Sequence, residues 1–239
     1  MATERLPADR CAACPVRTHG APFCWRDLQE QMALLGAVGI ERRYAPGEAI
    51  YRQGDPADGW WIVRRGQVLE YMVDPDGREQ IIRLAPAGSV CGMSGLGPGS
   101  THWASARAGR RGADTYFIPR ERGQRLAEAN PAIVYALLAG MAEEVRLAYH
   151  KLHGLAMRPA RAGVAHVLLS ATECTTDGQS VVTLSRSEIA SMAGVAVETA
   201  VRILQDFRSR GVIEDRGYQQ IGICDPCGLH AIAEGLDAE

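Results

Sequence analysis

Short apolar runs between turn-forming residues fill the first half of the chain, and they constrain its fold more than any other feature. From residue 42 to residue 119, runs such as YAPGEAIYRQGD, WWIVRRGQVLEYMV and TYFIP are separated by glycine, proline and aspartate. Asp76-Gly77 lies between two alternating runs, which is a strong signal for a β-hairpin. Many short strands joined by such turns predict an antiparallel β-barrel or β-roll.

A long helix is predicted after these strands. Asn130 is suited to cap it, and Pro131 is suited to its first turn. Apolar side chains then recur at steps of four, three, four, three and four residues, which is the spacing of a heptad seam. So narrow a seam favours a parallel pair of helices, one from each copy of the chain, across a dimer axis. The alternative is that the helix packs its seam against the domain of the same chain. The seam consists of Val134, Leu138, Met141, Val145, Ala148 and Leu152.

The last third of the chain has the pattern of a DNA-binding helix-turn-helix. Ser185 and Glu188 form a capping box, so a helix begins there. Gly194 ends this helix, and a second helix runs through VETAVRILQDFRSRG to Gly211. Two short helices joined by a glycine-containing turn are typical of this motif. The following GVIEDRGYQQIGI predicts a small hairpin that turns at Arg216-Gly217, which would be a wing.

Cysteines form the strongest chemical signal in the sequence. Cys11, Cys14 and Cys24 are spaced as C-x2-C-x9-C near the N-terminus, and Cys91 stands alone in the predicted roll. Thiolates grouped in this way bind soft metals or iron–sulfur clusters, and a cluster needs about four such donors. Cys91 is the predicted fourth ligand. The alternatives are a structural zinc site completed by His19, or thiol–disulfide sensing without a metal.

Composition and charge narrow the possible partners, location and function of the chain. The chain has 239 residues and a formal net charge of −2, so any contact with nucleic acid must come from a local patch. It lacks an apolar run of about 18 residues and an apolar leader, which predicts no membrane partner and a cytoplasmic location. Seven cysteines are then expected to be thiols or ligands rather than disulfides. No catalytic constellation stands out, so we do not expect an enzyme.

In its module order, and in the motif S-x-x-E-I-A-x-x-x-G-V-x-x-E-T-x-x-R that begins at Ser185, the chain resembles the CRP/FNR transcription regulators. The predicted roll also carries the glycines of that family, from Gly47 to Gly92. The resemblance implies an α+β fold with a cyclic-nucleotide-binding-like antiparallel β-roll, a long dimerisation helix and a C-terminal winged helix-turn-helix. The corresponding segments are a cysteine-rich segment over 1–27, the roll over 28–129, the dimerisation helix over 130–157 and the DNA-binding domain over 158–239.

The N-terminal CAACPVR, followed by a third cysteine, is similar to the cluster-binding segment of the oxygen-sensing FNR branch. That similarity implies a [4Fe–4S] cluster that responds to oxygen, NO or redox state. Two features depart from the branch. The gap between Cys14 and Cys24 is longer, and Tyr116 occupies about the position of the branch's internal cysteine. The alternative within the family is a regulator of another signal, through haem-bound NO, thiols or a zinc-structured N-terminus.

The resemblance also places the second helix of the motif in the major groove of DNA. Arg202 can donate to guanine, and Glu198 can accept from cytosine, although a surface salt bridge between the two is the alternative. Val201 replaces the serine of the FNR branch and can contact a thymine methyl group. The implied partners are palindromic double-stranded DNA, a second copy of the chain and RNA polymerase. The predicted DNA contacts are Arg186, Ser187, Glu198, Thr199, Val201, Arg202 and Arg208.

The roll is shared with cAMP-binding regulators, but the residues that hold the nucleotide in them differ here. Met93 follows Gly92 where a ribose-binding glutamate is expected, and His102-Trp103 stands at about the place of a phosphate-binding Arg-Ser pair. Because no fixed cation remains for the phosphate, we expect no binding of cAMP.

A second C-x2-C motif, Cys224-Asp225-Pro226-Cys227, follows the predicted wing. Some members of the family carry cluster ligands near the C-terminus. Only two cysteines are present here, so two ordinary thiols at the start of a helix are the favoured interpretation.

Overall fold

The computed structural model describes residues 29–174, 179–217 and 220–236, without the side chains of Gln29, Met32, Ala156 and Cys174. Within these residues the chain forms a β-roll, a long helix and a winged helix-turn-helix, so the α+β fold implied by the resemblance is confirmed. Cys11, Cys14 and Cys24 lie outside the described residues.

Along the chain, the roll follows one helix and is followed by two further helices. Its long strands, β3 and β6, pair antiparallel from Gly59 opposite Pro119 to Tyr71 opposite Ser105. The sheet order is β1-β6-β3-β4, with β2 paired to β6 and β5 paired to β3. The elements are α1 (Gln29–Val38), β1 (Ile40–Tyr44), β2 (Ala49–Tyr51), β3 (Gly59–Val73), β4 (Glu79–Pro86), β5 (Val90–Cys91), a 3-10 turn (Met93–Leu96), β6 (Ser105–Pro119), α2 (Arg120–Ala129) and α3 (Pro131–Met157).

The hairpin predicted at Asp76-Gly77 is confirmed. It joins β3 to β4, and the amide of Gly77 donates to the carbonyl of Asp74 at 3.0 Å. Gly77 has a φ of +80°, a conformation that glycine adopts without strain. Turn chemistry in the sequence therefore determines this connection.

Each face of the sheet has its own core, because successive side chains on a strand point to opposite faces. One face encloses the interior of the roll, where Trp61 pairs with Cys91 on one side and with Phe117 on the other. On the other face, Ile62 pairs with Val90, and this face packs against α1 and α3. A residue's place along its strand therefore decides which core it enters.

The long helix α3 begins as the sequence predicts. The side chain of Asn130 accepts a hydrogen bond from the amide of Ala132 at 3.2 Å, and Pro131 is the first helical residue. Ile133 and Leu137 are buried against the roll. None of the described helices, α3 included, is both long and apolar enough to cross a membrane.

The winged helix follows α3. In α5, Ser185 and Glu188 form the predicted capping box, and Gly194 ends the helix with a φ of +68°. The predicted hairpin of the wing is also confirmed, with Gly217 in its turn. The elements are α4 (Ala160–Ser170), β7 (Thr172–Cys174), β8 (Ser180–Val182), α5 (Arg186–Ala193), α6 (Val197–Ser209), β9 (Ile213–Asp215), β10 (Ile221–Ile223) and α7 (Pro226–Ala233), and the sheet order is β7-β8-β10-β9.

Candidate DNA-binding surface and the charged contacts behind it

The second helix of the motif, α6, presents a polar face to solvent. Glu198 and Arg202 are both exposed and lie four residues apart, so they share one face of the helix. Thr199 and Val201 flank them and are half-buried. The salt bridges among the described residues include none between Glu198 and Arg202. Both groups are therefore available to bond to a ligand rather than to each other.

Packing on the opposite side of α6 holds this face outward. Ala200, Leu204 and Phe207 are buried in the core of the winged helix. The guanidinium of Arg161 lies 5.2 Å from the ring centroid of Phe207, and it also pairs with Asp206 at 2.5 Å. The polar face is thus carried by an amphipathic helix whose apolar side is buried.

Two of the predicted DNA contacts converge on one carboxylate in the wing. Arg208 forms an ion pair with Asp215, and Nη2 of Arg186 lies 3.8 Å from the same carboxylate. Ser187 is exposed, and its hydroxyl lies 2.9 Å from that of Ser185. The sequence analysis did not find Asp215. Phosphate groups of DNA would have to compete with it for the two arginines.

The carboxylate of Glu188 joins the first helix of the motif to the roll. It accepts the amide of Ser185 at 2.7 Å and the Nε of Arg110 at 2.9 Å, and Arg107 lies 3.8 Å away. Burial alone would raise the pKa of Glu188, but the hydrogen bonds from Ser185 and Arg110 lower it overall. One side chain therefore caps α5 and ties it to strand β6.

A second contact attaches α5 to strand β4. The hydroxyl of Ser191 accepts from the amide of Ile81 at 2.7 Å and donates to the carbonyl of Glu79 at 2.9 Å. Ile81 and Leu69 of the roll are buried in the same core as the winged helix. The DNA-binding domain and the roll thus share an apolar core and a set of polar contacts.

A half-buried ion triad connects the roll to α3. Glu70 on β3 pairs directly with Arg83 on β4, at 2.9 Å, and Nη2 of Arg83 lies 2.6 Å from Glu144 on α3. Arg83 also donates to the carbonyl of Val90 at 2.7 Å. Glu70 accepts the amide of Gly92 at 3.1 Å, and it also accepts the hydroxyl of Tyr51.

His102 and Trp103, which the resemblance places at about the position of a phosphate-binding Arg-Ser pair, lie in different environments. His102 is 3% exposed and stacks on Tyr51 with ring centroids 4.1 Å apart. Its Nδ1 lies 3.0 Å from the hydroxyl of Ser94, and burial lowers its pKa. Trp103, by contrast, is 68% exposed. A buried imidazole with a lowered pKa supplies no positive charge at neutral pH.

Cys91 lies inside the roll, whereas Tyr116, which the resemblance places at about the position of the FNR-branch cysteine, lies outside it. Cys91 is 0% exposed, and burial, reinforced by the charge of Glu70, raises the pKa of its thiol well above the usual value. Tyr116 faces α1: a Cβ atom at Gly36 would lie 3.0 Å from its ring. The two positions are therefore on opposite faces of one sheet.

Known proteins resemble this chain over both halves. A family model described as cyclic nucleotide-binding domain matches residues 41–130, and one described as Crp-like helix-turn-helix domain matches residues 164–232. The transcriptional activator protein Anr of Pseudomonas protegens is 30% identical over 223 residues, which cover 90% of each chain. The HTH-type transcriptional regulator Cmr of Mycobacterium tuberculosis is 31% identical, covering 93% of this chain and 86% of Cmr. The solved structure of FixK2 from Bradyrhizobium japonicum matches with a TM-score of 0.72 at 27% identity, over 84% of this chain and 98% of FixK2.

The triad makes stability depend on pH. Burial, together with the charge of Glu70, raises the pKa of Glu144 to about 7 from a usual value of 4.5, although Arg83 acts in the opposite direction. The folded state then binds a proton that the unfolded state has lost, so this contribution to stability is complete below about pH 4.5 and disappears as the pH rises through about 7.

We expect Glu144→Gln to remove this fall in the free energy of unfolding with rising pH. Urea denaturation across this range would measure it, with the exposed Glu121→Gln as control; equal pH slopes in Glu144→Gln and the unaltered protein would contradict the assignment.

Proposed function

Because the chain belongs to the CRP/FNR family of transcription regulators, we propose that it is a cytosolic homodimer whose affinity for a palindromic DNA site is set by an N-terminal [4Fe–4S] cluster. The cluster would respond to oxygen, NO or redox state. The observation that supports this sensing role is the C-x2-C-x9-C group of Cys11, Cys14 and Cys24, which precedes a roll with no fixed cation for a nucleotide phosphate. RNA polymerase is the proposed further partner, on the family resemblance alone.

The three N-terminal cysteines are the proposed thiolate ligands of the cluster. When bound, such a cluster supplies an oxidisable centre. In the folded roll, Cys91 does not fit as a ligand of a centre outside it, because its sulfur is fully buried on the face that points away from α1. Coordination by Cys91, the fourth ligand that the sequence offers, would require the roll to open.

The proposal excludes cAMP as the signal. His102, which stands near the place of the phosphate-binding arginine, is buried beneath Tyr51 and bonded to Ser94. A nucleotide phosphate placed there would meet a neutral imidazole and would displace a stacked aromatic pair. Desolvating a phosphate without a cation to receive it is costly.

Dimerisation through α3 is supported by the exposure of the predicted seam. The helix packs on its own roll with one face, and the seam lies on another face that the roll leaves open. Met141 is the least exposed of the five seam residues, at 38%, and Leu152 is the most exposed, at 64%. Apolar side chains repeated at this spacing are stabilised when a second copy covers them. The proposed seam consists of Val134, Leu138, Met141, Val145 and Leu152.

Cluster binding can be tested by single substitutions to alanine. We expect anaerobically purified Cys11→Ala, Cys14→Ala and Cys24→Ala to lose iron and sulfide, because each removes one of the few thiolates that the cluster needs. Chemical iron and sulfide analysis, together with the visible absorption spectrum, would measure the loss. Full cluster content in any variant removes that residue from the site. Cys91→Ala, analysed in parallel, decides whether the roll supplies the fourth ligand.

Dimerisation can be tested by introducing a charge into the seam. We expect Met141→Glu to sediment as a monomer, because the interface would bury an unpaired carboxylate at a cost of several kcal/mol. His153→Glu, which places the same charge on an exposed position outside the seam, is the matched control and should remain dimeric. A dimeric Met141→Glu protein would show that the helices do not meet at this residue.

DNA reading can be tested by comparing two arginines. We expect Arg202→Ala to cost roughly 1–3 kcal/mol of binding free energy on the cognate site, and most of this loss should vanish when the contacted guanine is replaced. Arg208→Ala should instead weaken binding evenly across sequences and reduce the salt dependence, as expected of a phosphate contact. Fluorescence anisotropy at several salt concentrations would measure both. An even loss for Arg202→Ala would assign that residue to the phosphates instead.

A further inference from the structure

The second C-x2-C motif has a defined place beside the wing. Cys224 follows strand β10 directly, and Cys227 lies in the first turn of α7. Asp225 caps this helix by accepting the amide of Gly228 at 2.9 Å, and Pro226 is its first residue. Both cysteines are exposed and unpaired in the structure. The structure therefore places two free thiols at the start of a helix, as the sequence analysis expects.

This placement suits a disulfide. Residues three apart at the start of a helix have Cβ atoms roughly 5–6 Å apart, and a disulfide needs roughly 3.5–4.5 Å, so a small rotation of the residue before the cap is enough. That residue, Cys224, is outside the regular helix and strand, where the backbone can adjust. In thiol–disulfide chemistry, the C-x-x-C spacing is the common arrangement of an exchangeable pair.

The pair is also connected to the DNA-binding surface. The amides of Cys224 and Asp225 both donate to the carbonyl of Val212, at 2.9 and 3.1 Å, just after the recognition helix. Glu214 on the wing lies beside the thiol of Cys224; together with burial it raises the pKa of that thiol. Glu214 also accepts a hydrogen bond from Arg216. Movement of Cys224 would therefore disturb both wing strands.

We propose that Cys224 and Cys227 form a reversible intrachain disulfide on reaction with a peroxide, and that the disulfide lowers the affinity of the wing for DNA. The thiolate of Cys227 attacks a peroxide oxygen, the O–O bond breaks, and the departing hydroxide takes up the released proton to give water. The thiolate of Cys224 then attacks the sulfenic sulfur and releases a second water. The two sulfurs lose two electrons in total, and hydrogen peroxide gains them.

Mass spectrometry can test the bond directly, because the sequence isolates the pair. No lysine or arginine follows Arg216, so trypsin releases residues 217–239 as one peptide whose only cysteines are Cys224 and Cys227. After treatment of the full chain with hydrogen peroxide, this peptide should lose about 2 Da and both alkylation sites, and dithiothreitol should restore them. The variant Cys11→Ala/Cys14→Ala/Cys24→Ala should behave identically, which separates the result from any cluster.

Cys224→Ser is the matched control, and it removes one partner without changing the size of an exposed side chain. Its peptide should show no loss of about 2 Da, and its DNA affinity should not respond to peroxide, whereas the affinity of the unaltered protein should fall and recover with dithiothreitol. Cys91→Ala should respond as the unaltered protein does. A peptide that remains fully alkylatable, or that gains only oxygen, would overturn the disulfide. A disulfide that forms with no change in DNA affinity would overturn its effect on the wing.

Discussion

Arg83 forms the contact on which the arrangement of the roll and the long helix depends. Its guanidinium donates hydrogen bonds to Glu70 within the sheet and to the carbonyl of Val90, and it forms an ion pair with Glu144 on α3. Removing three charges from water is costly, and this cost is offset only where the charges are paired and bonded to further groups. Tyr51 and the amide of Gly92 supply those further bonds to Glu70. Loss of Arg83 would leave two half-buried carboxylates without a positive charge between them, which would disfavour the contact between roll and helix.

From this triad, packed contacts continue to the DNA-binding domain. The ammonium group of Lys151, also on α3, donates to the carbonyl of Ile81 at 2.6 Å, and the amide of Ile81 donates to Ser191 on α5. On strand β6, Arg110 donates a hydrogen bond to Glu188 at the start of α5. A displacement of strand β4 against α3 would therefore alter the contacts of α5, the first helix of the helix-turn-helix. Coupling of this kind needs contiguous contacts, and the described residues supply them.

The sequence predicted the elements well because local chemistry determines them. Asp76-Gly77, the capping of α3 by Asn130 and the capping box of Ser185 each specify a turn or a helix start, and all three form as predicted. The exposed face of α6 also followed from spacing alone. These features depend on residues within a few positions of each other, so a linear pattern contains the information needed.

The charged contacts were harder to predict, because they join residues that are distant in sequence. Glu70 shares its face of β3 with the buried Val68, which signals a charge that points inward. This pattern indicates that a partner must exist, but it does not identify Glu144, which is on another element. In the same way, Asp215 is an ordinary polar residue of a short strand until the fold brings Arg186 and Arg208 to it. The burial of Cys91 likewise depends on register: one residue earlier, Val90 faces α1 and α3.

The balance of charge around the recognition helix has a consequence for how the protein selects DNA. A net charge of −2 gives little general attraction to a polyanion. Asp215 also neutralises part of the charge of Arg186 and Arg208, which are predicted DNA contacts. Glu198 adds a further negative charge on the recognition face. Non-specific binding, which depends on phosphate contacts, is weakened by these carboxylates. Arg202 has no carboxylate partner among the described residues, so in the proposed complex it is available to bond to a base, and such a bond would favour discrimination between sequences over affinity for DNA in general.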